Sequence, residues 1–444
     1  MSIRSKLRSK LIGALVSERT QNAKRSIAET RRKLGGSGHV ISAFLELDDP
    51  WSYLLVHYLP DLAAAFDIEL RYYLTQSCND EAFRPETELL ALYADEDCAR
   101  VAAELGIPFL DKGAAPPVEH RRALIDSLAA VSDSPEFDSE FLEAITAYWR
   151  GDTAGVERRI GAPGGDGRAL LAANQQRLVD LGHYNSAMLH YAGEWYWGVD
   201  RLPYLVDRLD ELGTRRPDRQ GAKLASIRQA MQVSLPVRPP GAAADLPALE
   251  LFYSFRSPYS YLALSRVFGI ADAFGLRLEV RPVLPMVMRG MQVPRAKLSY
   301  IVFDTAREAR RLGVPYGKFA DPVGAGVERC LAVYYYAQQE RRERDFLLHA
   351  GEAIWARGID VATDEGMRKV TARCGLFWPE VLAAMEDEGW REKVEDNRAA
   401  MFDAGCWGVP TLRHGDFTTW GQDRLWLLER HLEELCDSGE GILV

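Results

Sequence analysis

The chain has 444 residues, 47% of them hydrophobic, and a formal net charge of −10 at pH 7; that is too long for one ordinary domain of about 100–200 residues and apolar enough for globular cores. No apolar run reaches the ~18 residues that a membrane-spanning helix requires. Cys78, Cys98, Cys330, Cys374, Cys406 and Cys436 form no Cys-x-x-Cys pair and no Cys/His cluster at zinc spacing, which argues against a disulfide framework, a metal site and a dithiol redox centre, and places the protein in the reducing cytoplasm.

Taken in chain order, the first 38 residues hold ten Lys/Arg against Glu18 and Glu29. Ile3, Leu7, Leu11 and Leu15 recur every fourth residue between Arg4, Lys6, Arg8 and Lys10, the pattern of a basic amphipathic helix. The apolar stretch is too short, and the charge continues too far, for a secretory signal. Residues 1–38 are therefore expected to form a helical extension that docks on an acidic protein surface, its own or a second subunit's, or attaches peripherally to anionic lipid. One short basic arm on an acidic protein is a poor footprint for nucleic acid.

An internal repeat follows. Phe44 to Leu54 (FLELDDPWSYL) lies over Phe252 to Leu262 (FYSFRSPYSYL), 208 positions on, with the aromatic, Pro and Ser-Tyr-Leu positions shared. At the same offset Ile68 to Tyr72 lies over Leu276 to Val280, an alternating run that reads as a strand in both places. Trp197-Gly198-Val199-Asp200-Arg201-Leu202 pairs with Trp420-Gly421-Gln422-Asp423-Arg424-Leu425, now 223 positions apart, so the second copy carries about 15 more residues in its middle, where insertions are tolerated. Each copy reads strand, helix, strand, a block of helices, strand, strand, helix. Between them a stretch with Pro217, Pro236, Pro239, Pro240 and Gly241 reads as a linker, whose first half, Arg219 to Val233, can still form a packed helix. The expected organisation is an extension at 1–38, a first domain at 39–213, a linker at 214–247 and a second domain at 248–437.

Three features of the second copy carry chemistry. Ser257-Pro258-Tyr259-Ser260 stands where the first strand turns into the first helix and has the shape of Cys-Pro-x-Cys with oxygen replacing both sulfurs. It cannot exchange disulfides, which requires a thiolate and a resolving thiol. A hydroxyl there can instead donate to a bound thiolate and lower its pKa; read structurally, the same pair is a helix N-cap with proline at the first helical position. Gly408-Val409-Pro410-Thr411, before a strand pair turned at His414-Gly415-Asp416, suggests a cis-proline loop whose preceding backbone pairs with a peptide-like ligand, or else ordinary turn chemistry. In Trp420-Gly421-Gln422-Asp423 the carboxylate of Asp423 can cap a helix or receive an ammonium group. The histidines fall at unrelated spacings and assemble neither a metal site nor a triad.

With these motifs in order, Leu249 to Leu435 resembles the family of 2-hydroxychromene-2-carboxylate isomerases and kappa-class glutathione transferases. The fold this implies is α/β: two tandem DsbA-like thioredoxin domains, each with a helical insertion. The resemblance implies glutathione as co-substrate, with Ser257 contacting its sulfur, Val409 beside Pro410 pairing with the cysteinyl backbone, and Trp420, Gly421, Gln422 and Asp423 holding the γ-glutamyl end. It also implies thiolate addition to a small conjugated or aromatic substrate, with bond rotation and release of glutathione in the isomerase version and retention on the product in the transferase version. Met291-Gln292-Val293-Pro294, where relatives carry Asn before Pro-Pro, and Arg256 beside Ser257 depart from the pattern, so the substrate is not inherited. In the first copy Asp49 replaces the serine and Tyr184 to Met188 replaces the proline loop; both chemical positions are lost, and that copy reads as a degenerate structural repeat. The rival readings are a non-catalytic binding scaffold and, with no Cys-x-x-Cys to support it, a disulfide oxidoreductase.

Overall fold

A computed structural model describes residues 3–78, 80–109, 118–160, 164–218, 221–235 and 246–438. The chain divides into two compact units: an N-terminal unit, Lys24–Gln232, and a C-terminal unit in which Val233–Val444 is joined by Met1–Ala23.

Each unit is built on a four-stranded sheet. In the N-terminal unit β1 (Val40–Leu45), β2 (Glu69–Leu74), β3 (Met188–Tyr191) and β4 (Glu194–Trp197) lie in the order β2-β1-β3-β4. In the C-terminal unit β5 (Leu249–Tyr253), β6 (Leu278–Pro282), β7 (Thr411–His414) and β8 (Phe417–Trp420) lie in the order β6-β5-β7-β8. The first pair in each sheet is parallel and the others antiparallel. A parallel pair needs a crossover, which the helix Pro258–Phe274 supplies between β5 and β6. It buries Tyr261, Leu262, Leu264, Val267, Phe268, Ile270 and Phe274 in a core shared with Leu331, Phe346, Leu347 and Ile354 of the helices between β6 and β7. The N-terminal crossover is broken into Pro50–Val56 and Leu59–Ala65, because Pro60 has no amide hydrogen to continue the first helix.

Equivalent side chains make equivalent bonds in the two units. Tyr53 donates to the Pro108 carbonyl and Tyr261 to that of Pro315. Trp51 Nε1 reaches Asp97 at 3.1 Å and Tyr259 Oη reaches Asp304 at 2.8 Å. Asn174 caps the end of β2 at the Leu74 carbonyl (2.8 Å), and Asn397 does so for β6 at Pro282 (3.0 Å).

The basic extension differs from expectation. It is two helices, Ile3–Val16 and Glu18–Leu34, broken at Ser17, whose hydroxyl accepts from the Thr20 amide at 3.3 Å and so caps the second. The row of four-spaced leucines is not its packed face: Leu11 is 61% and Leu15 38% exposed, whereas Val16 is buried; the side chains of Ile3 and Leu7 lie outside the described residues. The contact within the C-terminal unit runs instead along Gly13, against the Gly317 backbone, and Val16, whose carbonyl accepts from Arg310 at 3.2 Å. Part of the expected linker is the helix Ala222–Ala230, with Leu224 and Ile227 buried. After it, Ser234 and Leu235 donate their amides to the fully buried carboxylate of Glu429. Pro236, Pro239, Pro240 and Gly241 lie outside the described residues. No described helix is long and apolar enough to cross a membrane.

Candidate functional site

The wholly buried strand β5 delivers the chain to the turn Ser254 to Ser257. Ser257 has extended backbone (φ −95°, ψ 114°) and Pro258 takes the first helical position. Its Oγ accepts from the Ser260 amide at 3.1 Å and donates to the Val409 carbonyl at 3.3 Å. The capping reading is thus realised, and because capping uses the oxygen lone pair it leaves the hydroxyl hydrogen to the loop. At 3.3 Å that second bond is long for O–H···O, and weak enough to be redirected to a better acceptor. The helix start adds partial positive charge where such an acceptor would sit. Ser254 Oγ and Ser260 Oγ beside it are buried and have no hydrogen-bond partner among the described residues.

The facing loop is fixed from several sides. The Val409–Pro410 peptide bond is cis. The Trp407 ring packs on Trp420 with centroids 4.7 Å apart, its carbonyl accepts from Arg289 at 3.2 Å, and Thr411 Oγ1 donates to Gly408 at 2.7 Å. Gly408 lies so close under the Trp420 indole that a Cβ would come within 2.9–3.0 Å of three of its atoms. The Pro410 carbonyl accepts from the Gly421 amide at 2.9 Å, joining the loop to the Trp420–Asp423 turn. Gly421 sits at φ +109°, and a Cβ there would meet Asp423 Oδ1 at 2.5 Å. The half-buried Val409 keeps its backbone N–H without a partner among the described residues. Ser257 is thus bonded to the Val409 carbonyl and Gly421 to that of Pro410, so the helix start, the cis-proline loop and the Trp420–Asp423 turn are joined to one another.

Residues 248–433 match the family of DSBA-like thioredoxin domains. This part of the chain is a DsbA-like domain. Among its relatives, 2-hydroxychromene-2-carboxylate isomerase of Pseudomonas putida is 25% identical over 196 residues, covering 42% of this chain and 95% of that protein. The enzyme of the same name from Sphingobium xenophagum is 26% identical over 192 residues, 41% of this chain and 97% of its own. Glutathione S-transferase kappa 1 of Rattus norvegicus is 26% identical over 206 residues, 42% of this chain and 91% of that one.

One expected contact of the DsbA-like domain is altered. Gln422 is 1% exposed, and both ends of its carboxamide are used: Oε1 accepts from Arg266 and Nε2 donates to Glu308 at 2.7 Å. Its side chain points into the protein, so any ligand contact from this residue is left to its backbone. Arg256, the unexpected charge beside Ser257, is held in a two-pronged pair with Asp321 at 2.7 and 2.9 Å. Asp304 and Glu308 on the helix Arg295–Leu312 brace the site and were not evident from its motifs. Asp304 becomes visible once Tyr93-x-x-x-Asp97-x-x-Arg100 leading to Leu105-Gly106-Ile107-Pro108 is laid over Tyr300-x-x-x-Asp304-x-x-Arg307 leading to Leu312-Gly313-Val314-Pro315; Glu308, which falls over Val101, does not.

The same place in the N-terminal unit is closed by its own side chains. Asp49 Oδ2 accepts from the amide (3.0 Å) and hydroxyl (2.6 Å) of Ser52 and from the hydroxyl of Ser186 (3.0 Å). Ser186 also meets Ser77 Oγ at 2.7 Å, and Ser77 donates its amide to Glu46 at 2.9 Å. Ala187 stands where Pro410 does, at φ +54°, and its carbonyl keeps the equivalent bond from Gly198 at 2.8 Å. Burial pushes the Asp49 carboxyl above its ordinary pKa; burial and the nearby Asp49 and Asp48 push Glu46 up to about 7.

Proposed function

We propose that the DsbA-like domain is a glutathione-dependent isomerase or transferase acting on a small conjugated or aromatic electrophile. The observation that carries this is the Ser257 hydroxyl at a helix start, 3.3 Å from the Val409 carbonyl, beside the unpaired Val409 N–H. The Val409 amide and carbonyl can pair with the cysteinyl residue of the tripeptide, and Ser257 is freed to donate its hydrogen bond to the sulfur. A donor at that position favours the thiolate over the thiol. The Gly421–Asp423 turn offers a carboxylate to the ligand's ammonium end. The thiolate then adds to an electron-poor carbon of the substrate. In the isomerase outcome, rotation about the bond made single is followed by expulsion of the thiolate; in the transferase outcome the carbon–sulfur bond persists. The relatives' names, an isomerase and a glutathione transferase, agree with either outcome.

The same reading takes residues 39–213, within the N-terminal unit, as the degenerate first copy of that domain. It is supported by the shared strand order and by the paired bonds of Tyr53 with Tyr261, Trp51 with Tyr259, and Asn174 with Asn397.

Calorimetry with glutathione, read alongside the ultraviolet absorbance of its thiolate, tests the assignment. Wild type is expected to bind and ionise the thiol; Ser257→Ala is expected to bind while failing to ionise it. Absence of binding to wild type at millimolar glutathione overturns the reading and favours a binding scaffold.

A further inference from the structure

Buried ionic groups are expensive, and well-packed apolar residues of similar size usually serve a fold at least as well. The C-terminal unit nevertheless buries Glu308 and Gln422 to 1% exposure, bonds them to each other, and adds Arg266 on one side and Arg311, 3.3 Å from Glu308, on the other. The N-terminal unit supplies an internal control. Val101 occupies the register of Glu308, Val199 that of Gln422, and Tyr58 stands eight residues after Pro50 as Arg266 does after Pro258. All three are buried. The fold can therefore be built with apolar residues at these positions, and the polar set occurs in the unit that also has Ser257 and the Val409–Pro410 loop.

We propose that Arg266, Glu308 and Gln422 are a positioning trio that fixes the Gly421–Asp423 turn for recognition of the γ-glutamyl end of the ligand, a role that rests on the glutathione reading above. Gln422 is the middle residue of that turn. Its amide side chain ties the turn to the Pro258–Phe274 helix through Arg266 and to the Arg295–Leu312 helix through Glu308. The flanking Gly421 amide is bonded to Pro410 and its carbonyl to the Arg424 amide at 3.3 Å. The bonds described for the trio run among Arg266, Glu308, Gln422 and Arg311 and not to Ser257 or Val409, so its effect is expected at the γ-glutamyl end of the ligand.

The test replaces the trio by its N-terminal counterparts, Arg266→Tyr, Glu308→Val and Gln422→Val together, in the full chain. Calorimetry then compares glutathione, γ-glutamylcysteine and cysteinylglycine, the last lacking the γ-glutamyl group. Expected are Kd values raised about tenfold for the two γ-glutamyl ligands and unchanged for cysteinylglycine, with no fall in thermal midpoint. Should the triple variant not fold, Gln422→Met removes both bonds at nearly constant volume and is expected to give the same pattern, while Glu308→Gln, which keeps an acceptor, is expected to retain affinity. Equal weakening of all three ligands, or none, overturns the proposal. Wild type binding glutathione while the variants bind it equally well removes only the trio; wild type binding no glutathione removes the glutathione reading and the trio with it.

Discussion

Replacing Glu46 by glutamine probes the closed cluster of the N-terminal unit. Glu46 is 8% exposed, its carboxylate accepts from the Ser77 amide at 2.9 Å, and the Arg121 guanidinium lies 3.9 Å away as a counter-charge. Burial and the neighbouring Asp49 and Asp48 raise its pKa from 4.5 to about 7. The folded state then keeps a proton that the unfolded chain has released, so the unfolding free energy falls as pH rises across this interval. Its contribution is fully present below pH 4.5 and lost as pH climbs through 7; with about 1.36 kcal/mol per unit, the total is on the order of 3 kcal/mol. Asp49 is also raised by burial, so the titration belongs to the two carboxyls together. Glutamine keeps an oxygen for Ser77 and cannot ionise. Hydrogen-exchange mass spectrometry on peptides spanning β1 and β2, corrected for intrinsic exchange, should show the wild type losing protection between pH 5 and 8 and Glu46→Gln losing much less. Parallel loss in both proteins would refute the argument.

Two further substitutions test how the C-terminal unit is held. Gly408→Ala forces a methyl group into the Trp420 indole; overpacking of this kind costs about 1–3 kcal/mol, and calorimetry should find glutathione binding weakened or lost, with partial recovery in Gly408→Ala/Trp420→Phe. Glu429→Ala leaves the Ser234 and Leu235 amides without their acceptor, a loss of roughly 1–3 kcal/mol, expected as faster proteolytic cleavage near residue 235 at unchanged glutathione affinity.

Much of the site is legible in the sequence because its parts are local. Ser257-Pro258 announces a capped helix start, and Gly408 to Thr411 announces the turn into β7, without any knowledge of what faces them. What sequence spacing cannot fix is the direction of a side chain that has two polar surroundings available. Gln422 lies in a turn next to Asp423, and the positions of Arg266 and Glu308, 156 and 114 residues earlier, decide that it points inward. The leucines at 11 and 15 fail for a related reason: the four-residue period gives a stripe but not its partner, and the packing follows Gly13 and Val16, where small size and the Arg310 bond allow closer approach. Glu46 escapes notice because nothing around it in the sequence marks it as buried; its partner Ser77 comes from a segment 31 residues away.

The two units meet the same local problem, a strand turning into a helix opposite a loop, in opposite ways. Asp49 brings its own carboxyl to that turn and binds Ser186 across it, whereas Ser257 brings a hydroxyl and holds the loop by one long bond. It follows that one change at the turn should not open the N-terminal unit. In Asp49→Ser, Ser77 and Ser186 still bond to each other, Ala187 still has positive φ, and Val101 and Val199 still stand where Glu308 and Gln422 brace the other turn. Calorimetry should therefore return one glutathione per chain for wild type and one for Asp49→Ser. A stoichiometry of two in the variant would mean that Asp49 alone had closed that unit, and that the apolar counterparts of the trio impose no barrier to binding.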